Sequence, residues 1–177
     1  MTNDRLIIAD PVVFQGRHLP KNDHAFVIMP FRPKWSKVVW ETVRSAMIDL
    51  KFKCIRADEQ FGQQILEDIW KGICEASIVI ADVTGRNPNV YYELGLAHVL
   101  GRRVILLTQN IDDIPFDTLI YRHISYKSPV KSRNRNREMR KLSQELKKHV
   151  EWVIGNEILP TSSRFADAYN ALRKIKP

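Results

Sequence analysis

Three uninterrupted apolar runs of strand length, Phe26–Met29, Ile78–Ala81 and Val104–Leu107, constrain this chain more than any other feature. A strand whose every residue is apolar must be covered on both faces, which is the situation of a parallel sheet sandwiched between helices. The intervening segments agree with that arrangement. Ser36–Leu50 places Val39, Val43, Ala46 and Leu50 at helical spacing, with Ser36 in position to cap the N-terminus. Gln63–Ala76 puts Ile65, Ile69 and Ile73 along one stripe with acidic residues opposite, and Val90–Leu100 forms a helix closed by Gly101. Lys53–Glu59 reads as a further short strand, and a last one falls within His123–Ser128. Strands alternating with helices imply right-handed crossovers. The expected fold class is therefore α/β, a flavodoxin-like three-layer sandwich with a five-stranded, mostly parallel sheet of order 2-1-3-4-5.

The 177 residues suit one domain, and a hydrophobic fraction of 44% is enough to build its core. Residues 1–23, with Pro11, Gly16 and Pro20, read as an N-terminal extension. Residues 24–130 carry the α/β domain, and 131–177 form a basic connector and C-terminal helices packed on it, among them the amphipathic Glu138–Ile154. No apolar run approaches the roughly 20 residues of a membrane helix, and the N-terminus lacks the basic start and apolar stretch of a secretory signal, so a cytoplasmic location is expected. Cys54 and Cys74 fall on apolar faces, where thiols act as small hydrophobes. The five histidines are dispersed and no metal site is expected. Without a GxGxxG or P-loop, dinucleotide redox chemistry and nucleoside triphosphate hydrolysis lack their usual phosphate cradle.

The net charge is +8, and its excess lies in one place. Lys127–Lys148 holds nine Lys and Arg against two acids. Arg133, Arg135 and Arg137 alternate with asparagine there, a pattern open to two readings, a solvated surface or a contact for nucleic acid or an acidic partner.

In a doubly wound sheet, ligands bind beyond the carboxyl ends of the strands where the winding reverses. The loops concerned are Pro30–Pro33, Asp58–Gly62 and Asp82–Asn89. Asn87 can cap the following helix, with Pro88 at its first position. On a helical wheel Glu93 falls between Leu100 on one side and Ala97 and Val90 on the other, inside the apolar face. A carboxylate there needs either a structural ion pair or a cavity that admits a ligand. Asp82 either holds a loop or binds the hydroxyls of a sugar. Arg86 either receives a phosphate or is solvated, and Phe31 either stacks on a base, with Arg32 reaching a phosphate, or simply packs.

The run Phe26–Phe31 followed by Ile78–Thr108, IVIADVTGRNPNVYYELGLAHVLGRRVILLT, resembles nucleoside 2-deoxyribosyltransferases and bacterial TIR-like domains over roughly residues 24–110. The resemblance implies cleavage or transfer at an N-glycosidic bond, with Glu93 as the catalytic carboxylate at the anomeric carbon. It places Asp82 and Asn89 on the sugar and Phe31 against the base; with Arg32, Arg86, Asn87 and Tyr92 from the same loops, these are the candidate substrate contacts. A carboxylate beneath C1′ opposes the positive charge that develops on the sugar. Asp58, Glu59 and Asp82 are the nearby acids that can protonate a neutral base; a nicotinamide needs none, which favours an NAD-like substrate and no separate cofactor. The resemblance further implies a homo-oligomer and a role in antiviral defence. A binding module of the same fold, which senses a nucleotide or self-assembles without turnover, is the competing expectation.

Overall fold

The computed structural model describes residues 18–57, 65–118 and 121–156. Five strands, β1 (His24–Ile28), β2 (Lys53–Arg56), β3 (Ile78–Asp82), β4 (Arg103–Thr108) and β5 (His123–Ser125), form one sheet of order β2-β1-β3-β4-β5. Every neighbouring pair is parallel, with Phe26 opposite Ile55 and Val79, and Ala81 opposite Leu106. The expected fold class and strand order are both found, and the sheet is wholly parallel.

Four helices, α1 (Ser36–Asp49), α2 (Ile65–Glu75), α3 (Pro88–Val99) and α4 (Arg135–Gly155), cover its two faces. The pleat decides which side chain goes where. Val27, Ile80, Ile105 and Leu107 pack with Val39, Val43 and Met47 of α1 and Leu142, Leu146 and Val150 of α4. Their neighbours Phe26, Ile28, Val79 and Leu106 pack with Ile69 and Ile73 of α2 and Val90, Leu94 and Ala97 of α3. Helix α4 is thus part of the core and not an appendage. On the second face Gly72 meets Phe26 so closely that a Cβ on the glycine would lie 2.3 Å from the ring.

Ends of elements follow local chemistry. Asn87 caps α3 by accepting a 2.9 Å hydrogen bond from the Asn89 N–H, and Pro88 takes the first helical position, as expected. Gly101, at φ +62°, ends the same helix in the left-handed conformation that its missing side chain permits. Helix α1 departs from expectation, because Trp35 occupies its cap position and makes no side-chain cap. The Ser36 N–H already bonds Pro33 carbonyl at 2.9 Å, which draws Ser36 into the first turn, and its buried hydroxyl donates to Pro30 carbonyl at 2.6 Å. Both cysteines are buried and neither is in a disulfide, and burial pushes the Cys74 thiol up. Among the described residues no helix is long and apolar enough to cross a membrane. Residues 1–17 of the expected extension and 157–177 of the C-terminal segment lie outside the described residues.

Candidate functional site

The winding reverses between β1 and β3, which are neighbours in the sheet although α1, β2 and α2 separate them in the chain. Their carboxyl ends therefore bring the loop after β1 and the start of α3 to one edge. The third expected contributor, Asp58–Gly62, lies outside the described residues, and with it the candidate acids Asp58 and Glu59.

Glu93 sits in the second turn of α3, between the buried Val90 and Ala97. It is half-buried, and among the described residues neither a cation nor a hydrogen-bond donor meets its carboxyl group. Burial alone pushes that group up to about 7. Of the two readings open for Glu93, the structural ion pair is not what the described residues form.

Asp82 behaves differently. Buried to 1% exposure, its Oδ1 accepts from the Thr84 N–H at 3.0 Å and its Oδ2 from the Tyr126 hydroxyl at 2.6 Å. Gln109 donates to the same phenol oxygen at 2.9 Å, and the Gln109 N–H donates to Thr84 Oγ1 at 3.0 Å. Burial pushes Asp82 up to about 6, with the bonds from Thr84 and Tyr126 holding it lower than burial alone would. Both carboxylate oxygens are engaged in fastening the β3–α3 loop to β4 and the segment after β5, so Asp82 holds a loop.

Arg86 is likewise fastened. At φ +54° it is a non-glycine residue in the left-handed region, held there by its partners. Its guanidinium donates to Asp112 carbonyl and lies 3.5 Å from the Asp113 carboxylate, which also accepts from the Gly85 N–H at 2.8 Å. The Tyr91 hydroxyl donates to Asp113 carbonyl. Asp113 thus straps the β3–α3 loop to the loop after β4, a role that its position in an acidic loop did not reveal.

Asn87 is engaged as the cap, whereas Asn89 and Tyr92 are exposed on the first turns of α3. Across the switch point, Phe31 is 48% exposed and Arg32 is exposed. One feature there went unforeseen. The Arg56 guanidinium, from the last residue of β2, lies 5.4 Å from the Phe31 ring centroid and 5.0 Å from that of Trp40. Because β2 pairs with β1, its final residue had to fall beside the β1–α1 loop, and that adjacency was the available signal.

No protein-family profile matches the chain, and no curated protein matches it. Solved structures do. A flavoprotein from Thermotoga maritima aligns with a TM-score of 0.55 at 16% identity, over 76% of this chain and 37% of its own. A mutant flavo di-iron protein from the same organism aligns with a TM-score of 0.53 at 16% identity, over 75% of this chain and 37% of its own. The chain therefore spans well under half the length of these proteins, and the likeness is one of fold. It corrects the resemblance to deoxyribosyltransferases and TIR-like domains. Solved structures that share this fold include a flavoprotein and a flavo di-iron protein, and no profile supports either of those families. With the resemblance go the N-glycosidic reaction, the NAD-like substrate, the part given to Glu93 at an anomeric carbon and the antiviral role. The motif that carried it has a local explanation: Asp82 ties a loop, Asn87 and Pro88 start a helix, and Gly101 ends it. Those are requirements of a strand–turn–helix–strand unit, and they recur wherever such a unit is built.

Proposed function

We propose that this chain binds a small nitrogen heterocycle, a nucleobase or nucleoside, at the carboxyl edge of the sheet over β1 and β3. Glu93 carries the reading, as a half-buried carboxyl group without a partner among the described residues, raised to about 7. Near neutral pH such a group offers a donor and an acceptor side by side, which matches the edge of a nucleobase. Phe31 in the loop after β1 and Tyr92 on α3 are exposed aromatic rings, of a kind that suits stacking on a planar ligand.

The flavin and iron for which the similar proteins are named fit this chain poorly. A flavodoxin-like fold holds a flavin nucleotide at the β1/β3 switch point, where backbone N–H groups receive the phosphate. Here that loop contains Pro30 and Pro33, which have no N–H, and both the hydroxyl and the N–H of Ser36 are engaged by their carbonyls. Among the described residues no group of three His, Cys, Asp or Glu converges to hold a metal ion. The same lack of a phosphate cradle favours a base or nucleoside over a nucleotide.

Thermal unfolding with a panel of free bases and nucleosides at pH 7 tests the proposal. A ligand at a hundredfold excess over its Kd adds about 2.7 kcal/mol, a shift of roughly 5 to 10 °C for a chain of this size. At least one compound is expected to stabilise the wild type and to bind Glu93→Met tenfold or more weakly. Stabilisation by none, or equal binding by Glu93→Met, would overturn it.

A further inference from the structure

The strongest concentration of unopposed charge lies away from that edge. Arg133, Arg135, Arg137 and Arg140, with Asn134 and Asn136, line an open depression of about 550 Å³ where the connector meets α4. All four arginines are exposed, and among the described residues none of their guanidinium groups pairs with a carboxylate. Elsewhere on the surface the pattern is different, since Lys21 pairs with Glu75, Lys147 with Asp49, Lys148 with Glu145 and Arg86 with Asp113. Four like charges gathered in one depression repel one another, and an anion bound among them would relieve that repulsion.

We propose that this depression binds the phosphate backbone of a nucleic acid. The residue types indicate phosphate: a guanidinium presents a planar fork of donors that matches phosphate oxygens, and asparagine adds neutral donors and acceptors between the forks. The strip continues along the helix. Arg137, Lys141, Gln144 and Lys148 fall within about 60° of one another on the wheel and are all exposed. At 1.5 Å per residue Arg137 and Lys148 stand roughly 16 Å apart along the axis, about the rise of five nucleotides at 3.4 Å each. A membrane surface is less suited, because the depression is lined by Arg and Asn alone, with no apolar side chain to enter the lipid.

Fluorescence anisotropy with a labelled single-stranded 20-mer and a 20-base-pair duplex, from 50 to 200 mM salt, tests the proposal. Four phosphate contacts give a log–log salt slope of about −3 to −4, so affinity should fall roughly 50- to 150-fold over that range. Arg133→Gln/Arg135→Gln/Arg137→Gln should reduce the slope to about −1. Lys37→Gln/Lys53→Gln/Lys71→Gln removes the same charge from other exposed positions and should leave the slope close to that of the wild type. Melting temperatures of both variants verify that each is folded. Absence of binding at 50 mM salt, or equal loss in the two variants, would overturn the proposal. Tighter binding to polyglutamate or to phosphatidylserine vesicles than to either oligonucleotide would overturn it in favour of an acidic protein or a membrane.

Discussion

The Tyr126 phenol donates a 2.6 Å hydrogen bond to Asp82 Oδ2, joining the end of β3 to the chain beyond β5 across the intervening β4. Both residues are buried, at 7% and 1% exposure, so neither can turn to water for a substitute partner. Tyr126→Phe should cost on the order of 1 to 3 kcal/mol, because it leaves a buried carboxyl oxygen unsatisfied. Urea denaturation measures this. A change below about 0.5 kcal/mol would show that the bond contributes nothing to stability.

Asp82 and Glu93 set a pH dependence of unusual sign. Folding raises Asp82 from 3.8 to about 6 and Glu93 from 4.5 to about 7. A carboxyl group raised in this way holds its proton more tightly when folded, so stability falls as pH climbs from the ordinary value to the folded one, and is level above it. The melting temperature should therefore decline between about pH 4.5 and 7 and then flatten. A rise across that interval would contradict the burial assigned to the two groups.

Glu93→Gln separates the contribution of one group. At pH 8 the variant no longer confines a charge in a half-buried place, so its melting temperature should equal or exceed that of the wild type. At about pH 3.5, below the 4.5 at which Glu93 ionises in the unfolded chain, its carboxyl group is protonated in both states and the two proteins should melt together. Loss of many degrees at pH 8 is the signature of a broken ion pair, and would refute the unpartnered state of Glu93.

Gly72→Ala places a Cβ against the Phe26 ring, at 2.3 Å from the nearest ring carbon if nothing moves. Overpacking of this kind costs about 1 to 3 kcal/mol. Phe26→Leu in the same background should recover part of that loss, which thermal denaturation of the single and double variants would detect as coupling. Additive effects would exclude the contact as the cause.

Asp113→Ala should free the Gly85 amide and release Arg86 from its carboxylate. The Arg86 side chain is 65% exposed, so the global cost should be no more than about 1 kcal/mol. The local effect is larger, with hydrogen exchange at Gly85 accelerating while β3 and β4 stay protected. Unchanged exchange at Gly85 would show that the strap is not what orders the loop.

The central strands were legible because burial on both faces leaves them with no polar residue to blur them, whereas the sheet order rested on the arrangement commonest for five strands alternating with helices. Phe26–Met29, Ile78–Ala81 and Val104–Leu107 admit little else. The cap at Asn87 and the stop at Gly101 were legible for a similar reason, each depending on neighbours in sequence. The parts of the edge that the sequence left open depend on residues far along the chain. Asp82 is committed by a tyrosine 44 positions away, and Arg86 by an aspartate in a loop whose acids look alike in sequence. Arg56 required knowledge that β2 lies against β1 before its place beside Phe31 and Trp40 had any meaning. The family resemblance failed on the same ground, since features demanded by the turn and the helix ends stood in for features of a shared reaction.

The crowding of nine basic and two acidic residues into positions 127–148, in a chain whose whole net charge is +8, makes the molecule a permanent dipole. In the field of a polyanion that stretch is attracted before any contact forms, which favours encounters at the amino end of α4. The charge then acts on how fast such encounters succeed, more than on how long they last, and added salt erases that advantage within a few Debye lengths.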